Sequence, residues 1–445
     1  MTDAPQTIAA KSRSFETAAC KRASLCSLLL LLTIIFLAAA LLACRSIPSG
    51  LPAIIEAQRH LLAVLIIIAV AISLELTIQR SYKDAFDFSI ARTMSRQAFS
   101  RICQRCLGLF ICLILLTPSI LIQQFKAVTG ELIAILLLFA AFAPFYFLAL
   151  ERYGKYPEQD DEMLVLCKFA SNPLLFLKNL RANNIETDNS TAFFNLCRNL
   201  MLKGYFVPQL FASALHFWAA WEEYAASLVS AMQQGQLNVM DQNKLIALIG
   251  LIHVCLIQLT SAAGTTMPFA GYLLSLRILG NNIRSTDTTF SGWTFMMLAY
   301  LPVCNLPGMF LSRTSILWPV SLWHANFNLT LALSSAVVFF VIINTWSDLT
   351  LGLKFSNVSY RGVVKHGPYS IVRHPAYSAK LLGWALALTP SMLTLPGFLA
   401  GIFGWLALAA IYIMRALTEE RHLSQFPDYR EYCASVKKRF VPGLF

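Results

Sequence analysis

The sequence predicts an all-α fold: a polytopic bundle of about ten transmembrane helices, ending in a helical hairpin that bears a polar site. Three observations predict it. Hydrophobic residues make up 57% of the 445 and charged residues only 13%, against roughly 25% charge in soluble domains. Long uncharged runs recur, among them Ser27–Cys44 and Phe327–Trp346, while Glu131–Leu150 carries no charge after its first residue. A helix rising about 1.5 Å per residue needs roughly 20 such residues to cross a hydrocarbon core about 30 Å thick. Lysine and arginine, finally, gather in alternate connections between these runs. Backbone groups in lipid must bond within their own segment, so the runs are expected as helices and not as open strands.

Taken in order, the expected spans are 27–44, 61–77, 107–123, 131–150, 206–230, 244–263, 291–311, 327–347, 377–392 and 395–415. Thr265–Leu279 is a possible further half-span. Within the fifth span Glu222 and Glu223 sit beside Trp218 and Trp221. That grouping suits an interfacial stretch with its aromatics at headgroup depth, or else a polar pathway through the bundle. A cytosolic loop is expected at about 151–205, opening with Glu158, Asp160, Asp161 and Glu162. Leu174–Leu180 and Phe193–Leu200 in this loop suit short amphipathic helices at the membrane surface.

The net charge of +12 follows membrane topology and implies no nucleic-acid partner. Lys11, Arg13, Lys21 and Arg22 precede the first span, and Arg80, Lys83, Arg92, Arg96, Arg101 and Arg105 follow the second. Further basic residues occupy 151–205, 348–375 and the tail after Met414. With ten spans all of these share one face, which the positive-inside rule makes cytoplasmic, and both termini lie there. The eleven cysteines are scattered, and Cys103 and Cys106 form a lone C-x-x-C with no second pair at metal spacing. They are read as ordinary juxtamembrane thiols, and no metal site is expected.

The segment that carries chemistry begins near Leu351. It contains Lys365-His366-Gly367-Pro368-Tyr369-Ser370-Ile371-Val372-Arg373-His374-Pro375-Ala376-Tyr377. An apolar hairpin follows, turning near Pro390–Pro396. The chain then re-emerges at Thr418-Glu419-Glu420-Arg421-His422-Leu423 and continues through Phe426, Tyr429, Tyr432 and Arg439 to Pro442. A hairpin returns to the face it left, so the loop and the tail should be neighbours. Gly367 and Pro368 suit a tight turn that lets backbone approach a ligand. Pro375 suits the first turn of a helix. Arg373, His366 and His374 offer donors, Glu419 and Glu420 offer acceptors, and the tyrosines offer π faces that attract a cation. Taken singly, such residues are ordinary interfacial anchors; their order around one hairpin is what points to a site.

This pattern resembles the isoprenylcysteine carboxyl methyltransferase and phospholipid methyltransferase superfamily. The shared features are G-P-Y-x-x-V-R-H-P-x-Y before a helical hairpin, E-E-x-x-L after it, then paired tyrosines and a basic residue shortly before a proline. They fall on Gly367 to Tyr377, Glu419 to Leu423 and Phe426 to Pro442. The resemblance implies S-adenosylmethionine as cofactor and a lipid or lipidated methyl acceptor arriving from the bilayer. It implies cofactor contacts at His366, Gly367, Tyr369, His374, Tyr377 and Glu420, with Arg373 and Glu419 as the catalytic pair. The family commonly has glycine at the position of Ala379 and arginine at that of Ser370, which leaves the acceptor side open. Two domains are expected: residues 1–326, a multi-span region of unassigned role, and 327–445, the methyltransferase-like membrane domain.

Two other readings fit parts of the pattern. Arg373-His374-Pro375-Ala376-Tyr377 also fits the shorter Arg-His-x-x-Tyr motif of NADPH-dependent membrane sterol or enone reductases. The preceding Gly-Pro-Tyr and the Glu-Glu after the hairpin favour methyl transfer. A transporter or sensor with a degenerate C-terminal module would suit the many N-terminal spans, but no paired ionisable residues or broken helices mark a transport path.

Overall fold

The computed structural model of the protein describes residues 4–45, 53–121, 129–156, 162–174, 188–234, 241–300, 320–390 and 395–441. Helices dominate. In chain order they are α1 (Ala4–Arg45), α2 (Ala53–Leu74), α3 (Arg96–Ile120), α4 (Thr129–Tyr153), α5 (Glu162–Ser171), α6 (Asp188–Gln233), α7 (Gln242–Leu273), α8 (Phe290–Leu298), α9 (Val320–Ala325), α10 (Phe327–Leu351), α11 (Pro375–Ala387), α12 (Leu395–Leu423) and α13 (Pro427–Ser435).

Among the described residues, seven helical stretches are long and apolar enough to cross a membrane. They are Lys21–Ala43, Gln58–Gln79, Arg96–Ile120, Thr129–Tyr153, Gln242–Leu273, Phe327–Lys354 and Gly397–Leu423. Their outward faces carry bulky apolar side chains, including Phe36, Phe110, Phe142, Phe145, Phe339 and Phe403. Apolar surface on this scale suits a lipid solvent and not water. The fold is therefore the expected all-α membrane bundle.

Three expected spans differ. The stretch 206–230 lies within α6, a single helix of 46 residues. Trp218 and Trp221 are buried against protein there, and so is Glu222. Glu222 Oε2 accepts from Arg59 Nε at 2.8 Å and lies 2.6 Å from His60 Nε2. A charge compensated in this way is tolerated inside a bundle. The stretch 377–392 falls on α11, which has 13 residues, about 20 Å at 1.5 Å per residue and short of a hydrocarbon core. The stretch 291–311 begins on the nine-residue α8; residues 301–319 lie outside the described residues. So do Glu158, Asp160, Asp161, Pro442, most of the Leu174–Leu180 helix and the centre of the Pro390–Pro396 turn. Phe193–Leu200 forms no separate helix and is part of α6, whereas Thr265–Leu279 completes α7 and ends in a single turn at Arg277–Leu279.

By its contacts the chain forms two compact units, neither contiguous in sequence. The larger comprises Met1–Leu74, Ser213–Pro268 and Asp287–Phe445. In it α1 packs on α2, and α10 packs along α11. Gly383 permits the second approach, since a Cβ there would stand 3.3 Å from Phe340 Cβ. Between α7 and α10, Thr345 Oγ1 donates to the Thr260 carbonyl at 3.0 Å. The smaller unit comprises Glu75–Ala212 and Phe269–Thr286. There Gly108 of α3 meets the backbone of α5 so closely that a Cβ would come within 2.1 Å of the Met163 carbonyl oxygen. At the paired ends of α3 and α4, Glu151 accepts from Arg101 at 2.9 and 2.6 Å and also from Arg105.

Candidate functional site

The site belongs to the larger unit and is built around the α11–α12 hairpin. Pro375 opens α11, where its missing N–H removes no helical bond. The hairpin is held by Trp405, whose indole donates to the Leu381 carbonyl at 2.8 Å. Before the hairpin, residues 352–374 form a loop with two short 3-10 turns, at Gly352–Lys354 and Gly367–Ser370, and a two-residue strand at Ser359–Tyr360. Gly367 takes φ +59°, and a Cβ there would stand 2.9 Å from Thr350 Oγ1, so the turn needs glycine both for its backbone and for its fit against α10.

After α13 the tail folds back onto this loop. The backbone N–H groups of Arg373 and His374 donate to the carbonyls of Lys438 and Arg439, each at 2.9 Å. Ser378 Oγ donates to the Phe440 carbonyl at 2.7 Å. The expected meeting of loop and tail therefore occurs through backbone as well as side chains. Tyr429 and Tyr432 of α13 are buried with Val436 against Val363, Leu423 and Phe426. Tyr432 donates its hydroxyl to the Tyr369 carbonyl at 2.8 Å. Burial pushes the phenols of Tyr369, Tyr429 and Tyr432 well above their ordinary range, so all three remain neutral.

Loop, hairpin and α13 together enclose a cavity. Its wall includes Asp348, Tyr360, Tyr369, Arg373, His374, Tyr377, Lys380, Arg415, Glu419 and Tyr432. Of the residues singled out from the sequence, Tyr369, Arg373, His374, Tyr377, Glu419, Tyr429 and Tyr432 meet here. Glu419 Oε2 accepts from the Tyr377 hydroxyl at 2.8 Å, its only protein hydrogen bond among the described residues. The Tyr377 ring lies parallel to His374, with centroids 5.3 Å apart.

Glu420 sits behind this wall. One oxygen accepts from His374 Nε2 at 3.0 Å and lies 3.2 Å from Arg373 Nε. The other accepts from Arg439 Nε at 3.0 Å. Three cationic or donor groups from the loop and the tail thus converge on one buried carboxylate, which locks Arg373 and His374 in place. His366 lies beside the turn, outside the cavity lining. Burial, aided by Lys354, pushes its imidazole down to about 4, and at neutral pH it carries no charge.

Asp348, Lys380, Arg415 and Tyr300 also line the cavity and were not singled out from the sequence. Arg415 is buried in α12. Its guanidinium lies 5.0 Å from the Tyr300 ring centroid, 5.1 Å from that of Tyr377 and 5.9 Å from that of Tyr412. It donates to Asn357 Oδ1 and, at 3.3 Å, to the Tyr300 hydroxyl. No carboxylate lies at ion-pair distance among the described residues. Lys380 stands 5.9 Å from the Tyr412 centroid. A signal existed for these groups: ionisable residues close to membrane spans are costly and tend to be functional. Each of them stands alone in apolar sequence, outside any motif.

No curated protein and no solved structure matches the chain. Its C-terminal residues 329–425, which carry α10, the loop and the hairpin, match the isoprenylcysteine carboxyl methyltransferase family.

Proposed function

We propose that this protein transfers a methyl group from S-adenosylmethionine to a lipid or lipidated acceptor at the cytoplasmic membrane face. The observation that carries the reading is the cavity at the hairpin mouth, where Glu419, Tyr369, Tyr377, His374 and Arg373 meet within the family-matched region. The donor set suits the cofactor. Glu419 has acceptor capacity left for ribose hydroxyls or an ammonium group. The faces of Tyr369 and Tyr377 suit a sulfonium, and Arg373 or Arg415 suits a carboxylate.

When bound, the cofactor supplies an activated methyl group for in-line displacement. The work of the chain is then to bind, orient and exclude water. Glu420 contributes by fixing Arg373 and His374, and Gly367 by letting the loop close on Thr350. A carboxylate acceptor is already nucleophilic, whereas an ammonium acceptor must first lose a proton, for which Glu419 or His374 would be the base. Arg361, Arg373, Lys380 and Arg415 line the cavity, and Arg415 has no carboxylate at ion-pair distance among the described residues, which favours a carboxylate acceptor.

The same cations suit the phosphates of NADPH, so the reductase reading is tested alongside. The experiment measures binding of S-adenosylmethionine to the purified protein in nanodiscs, with NADPH in parallel and Glu419→Gln as the variant. Saturable S-adenosylmethionine binding, weakened more than tenfold by the substitution, is expected. Binding of NADPH alone, or of neither ligand to folded protein, would overturn the proposal.

A further inference from the structure

The cavity has a wall that comes from outside the family-matched residues. Asp287 to Tyr300 precede that region by about 30 residues, yet belong to the larger unit and dock on its site. The Asp287 N–H donates to the Val358 carbonyl at 2.7 Å, and the Trp293 indole donates to the Asp287 carbonyl at 2.7 Å. Asp287 Oδ1 accepts from the Thr289 backbone at 2.8 Å and from its hydroxyl at 2.7 Å. Arg421 of α12 reaches back to this turn, donating to Thr289 and, at 3.3 Å, to Ser291, with Asp287 Oδ2 at 3.6 Å. Gly292 is required at the turn, where a Cβ would stand 2.1 Å from Asp287 Oδ2. The segment is thus anchored at one end, and α8 carries it to Tyr300 at the cavity.

Tyr300 touches a group that needs holding. A buried guanidinium is costly unless an anion or several acceptors compensate it. Arg415 has aromatic faces, the Asn357 oxygen and the Tyr300 hydroxyl, but no carboxylate at ion-pair distance among the described residues. Aromatic faces compensate a cation only in part and leave the outer edge of its planar fork available. Tyr300 acts on Arg415 twice, through its ring at 5.0 Å and its hydroxyl at 3.3 Å. It also donates to Asn357 Oδ1 at 3.2 Å, so a single side chain fixes both the guanidinium and its Asn357 partner.

We propose that Tyr300 is a positioning residue that presents Arg415 to a carboxylate of the bound ligands. This rests on the methyltransferase reading of the cavity. The carboxylate belongs either to the amino-acid part of S-adenosylmethionine or to the acceptor, and the test separates these sources. Dissociation constants are measured in nanodiscs for wild type, Tyr300→Phe and Tyr300→Ala, with thermal unfolding as the folding control. The ligands are S-adenosylmethionine, its decarboxylated analogue, N-acetyl-S-farnesylcysteine and the amide of that compound.

Tyr300→Ala is expected to weaken one carboxylate ligand about tenfold and to leave its counterpart lacking the carboxylate unchanged. Tyr300→Phe, which keeps the ring, is expected to lose only two- to threefold. A loss confined to S-adenosylmethionine assigns the carboxylate to the cofactor, and a loss confined to the farnesylcysteine assigns it to the acceptor. Equal losses for carboxylate and counterpart, or none in Tyr300→Ala, overturn the proposal. If wild type binds no S-adenosylmethionine but the farnesylcysteine effect persists, the methyltransferase reading fails and the role of Tyr300 stands.

Discussion

Among the buried carboxylates held by basic groups, Glu151 and Glu420 do different things. Glu151 in the smaller unit accepts from Arg101 and Arg105, with Arg105 fully buried and both carboxylate oxygens engaged. Glu420 in the larger unit accepts from His374 and Arg439 and pairs with Arg373. Around Glu151 the groups close on one another and join helix ends. Around Glu420 they form the back of a cavity whose front wall, Glu419 and Tyr377, still has bonding capacity. A buried ion pair is therefore no sign of a site in itself. The sign is polar capacity left over beside it.

Breaking the Glu151 cluster gives the largest expected effect on stability. Glu151→Gln removes the charged carboxylate that Arg101 and Arg105 share inside the bundle, at a cost of about 3–5 kcal/mol. Thermal unfolding in detergent should show a large drop, while the folded fraction keeps its affinity for S-adenosylmethionine. A stable variant would mean that water or lipid reaches Arg105.

Glu420→Gln should act on both quantities. Losing a charged hydrogen-bond acceptor costs about 1–3 kcal/mol, and release of Arg373 and His374 should weaken S-adenosylmethionine binding more than tenfold. Glu419→Gln, by contrast, should weaken binding with little change in unfolding temperature. Equal behaviour of the two variants in both assays would erase the distinction between back and front of the site.

Much of this was legible in the sequence, for identifiable reasons. Uncharged runs of membrane length mark α1, α4 and α10 directly, because lipid tolerates few other patterns. The loop and tail were legible because glycine, prolines and paired charges lie close together in sequence around one hairpin. What was not legible depends on contacts distant in sequence. Arg59 and His60 gave no hint that they would meet Glu222, so a compensated charge looked like an interfacial stretch. Lys380 and Arg415 are single cations in apolar sequence, and Tyr300 is a single tyrosine ahead of the domain expected to begin at 327. Helix α11 was expected to span because apolar composition alone does not report that a helix stops after 13 residues.

Gly367→Ala tests the front of the site through backbone alone. The left-handed φ of +59° costs an L-residue about 1–2 kcal/mol. The added methyl group also meets Thr350, whose Oγ1 would be 2.9 Å away. Modest destabilisation with a severalfold loss of S-adenosylmethionine affinity is expected. Adding Thr350→Ser removes the Cγ2 that stands 3.2 Å from the new Cβ and should recover part of the stability. No recovery would assign the whole cost to the backbone.

The smallest expected effect concerns His366, and its sign separates this residue from the charged cluster nearby. Burial, and then Lys354, lower its pKa from 6.5 to about 4, so the folded protein holds a neutral imidazole where the unfolded chain would be protonated. Between these two values the unfolded state binds the extra proton, and stability rises with pH. The contribution is fully present above about pH 6.5 and is lost as pH falls toward 4. Unfolding temperatures measured across that window should decline in wild type and decline less in His366→Asn. Lys354→Met should make the decline smaller and end it at a higher pH, since removing a neighbouring positive charge raises the folded pKa toward the unfolded value. An unchanged window in that variant would leave burial as the only cause, and identical pH profiles for wild type and His366→Asn would show that the imidazole is solvated and charged like any surface histidine.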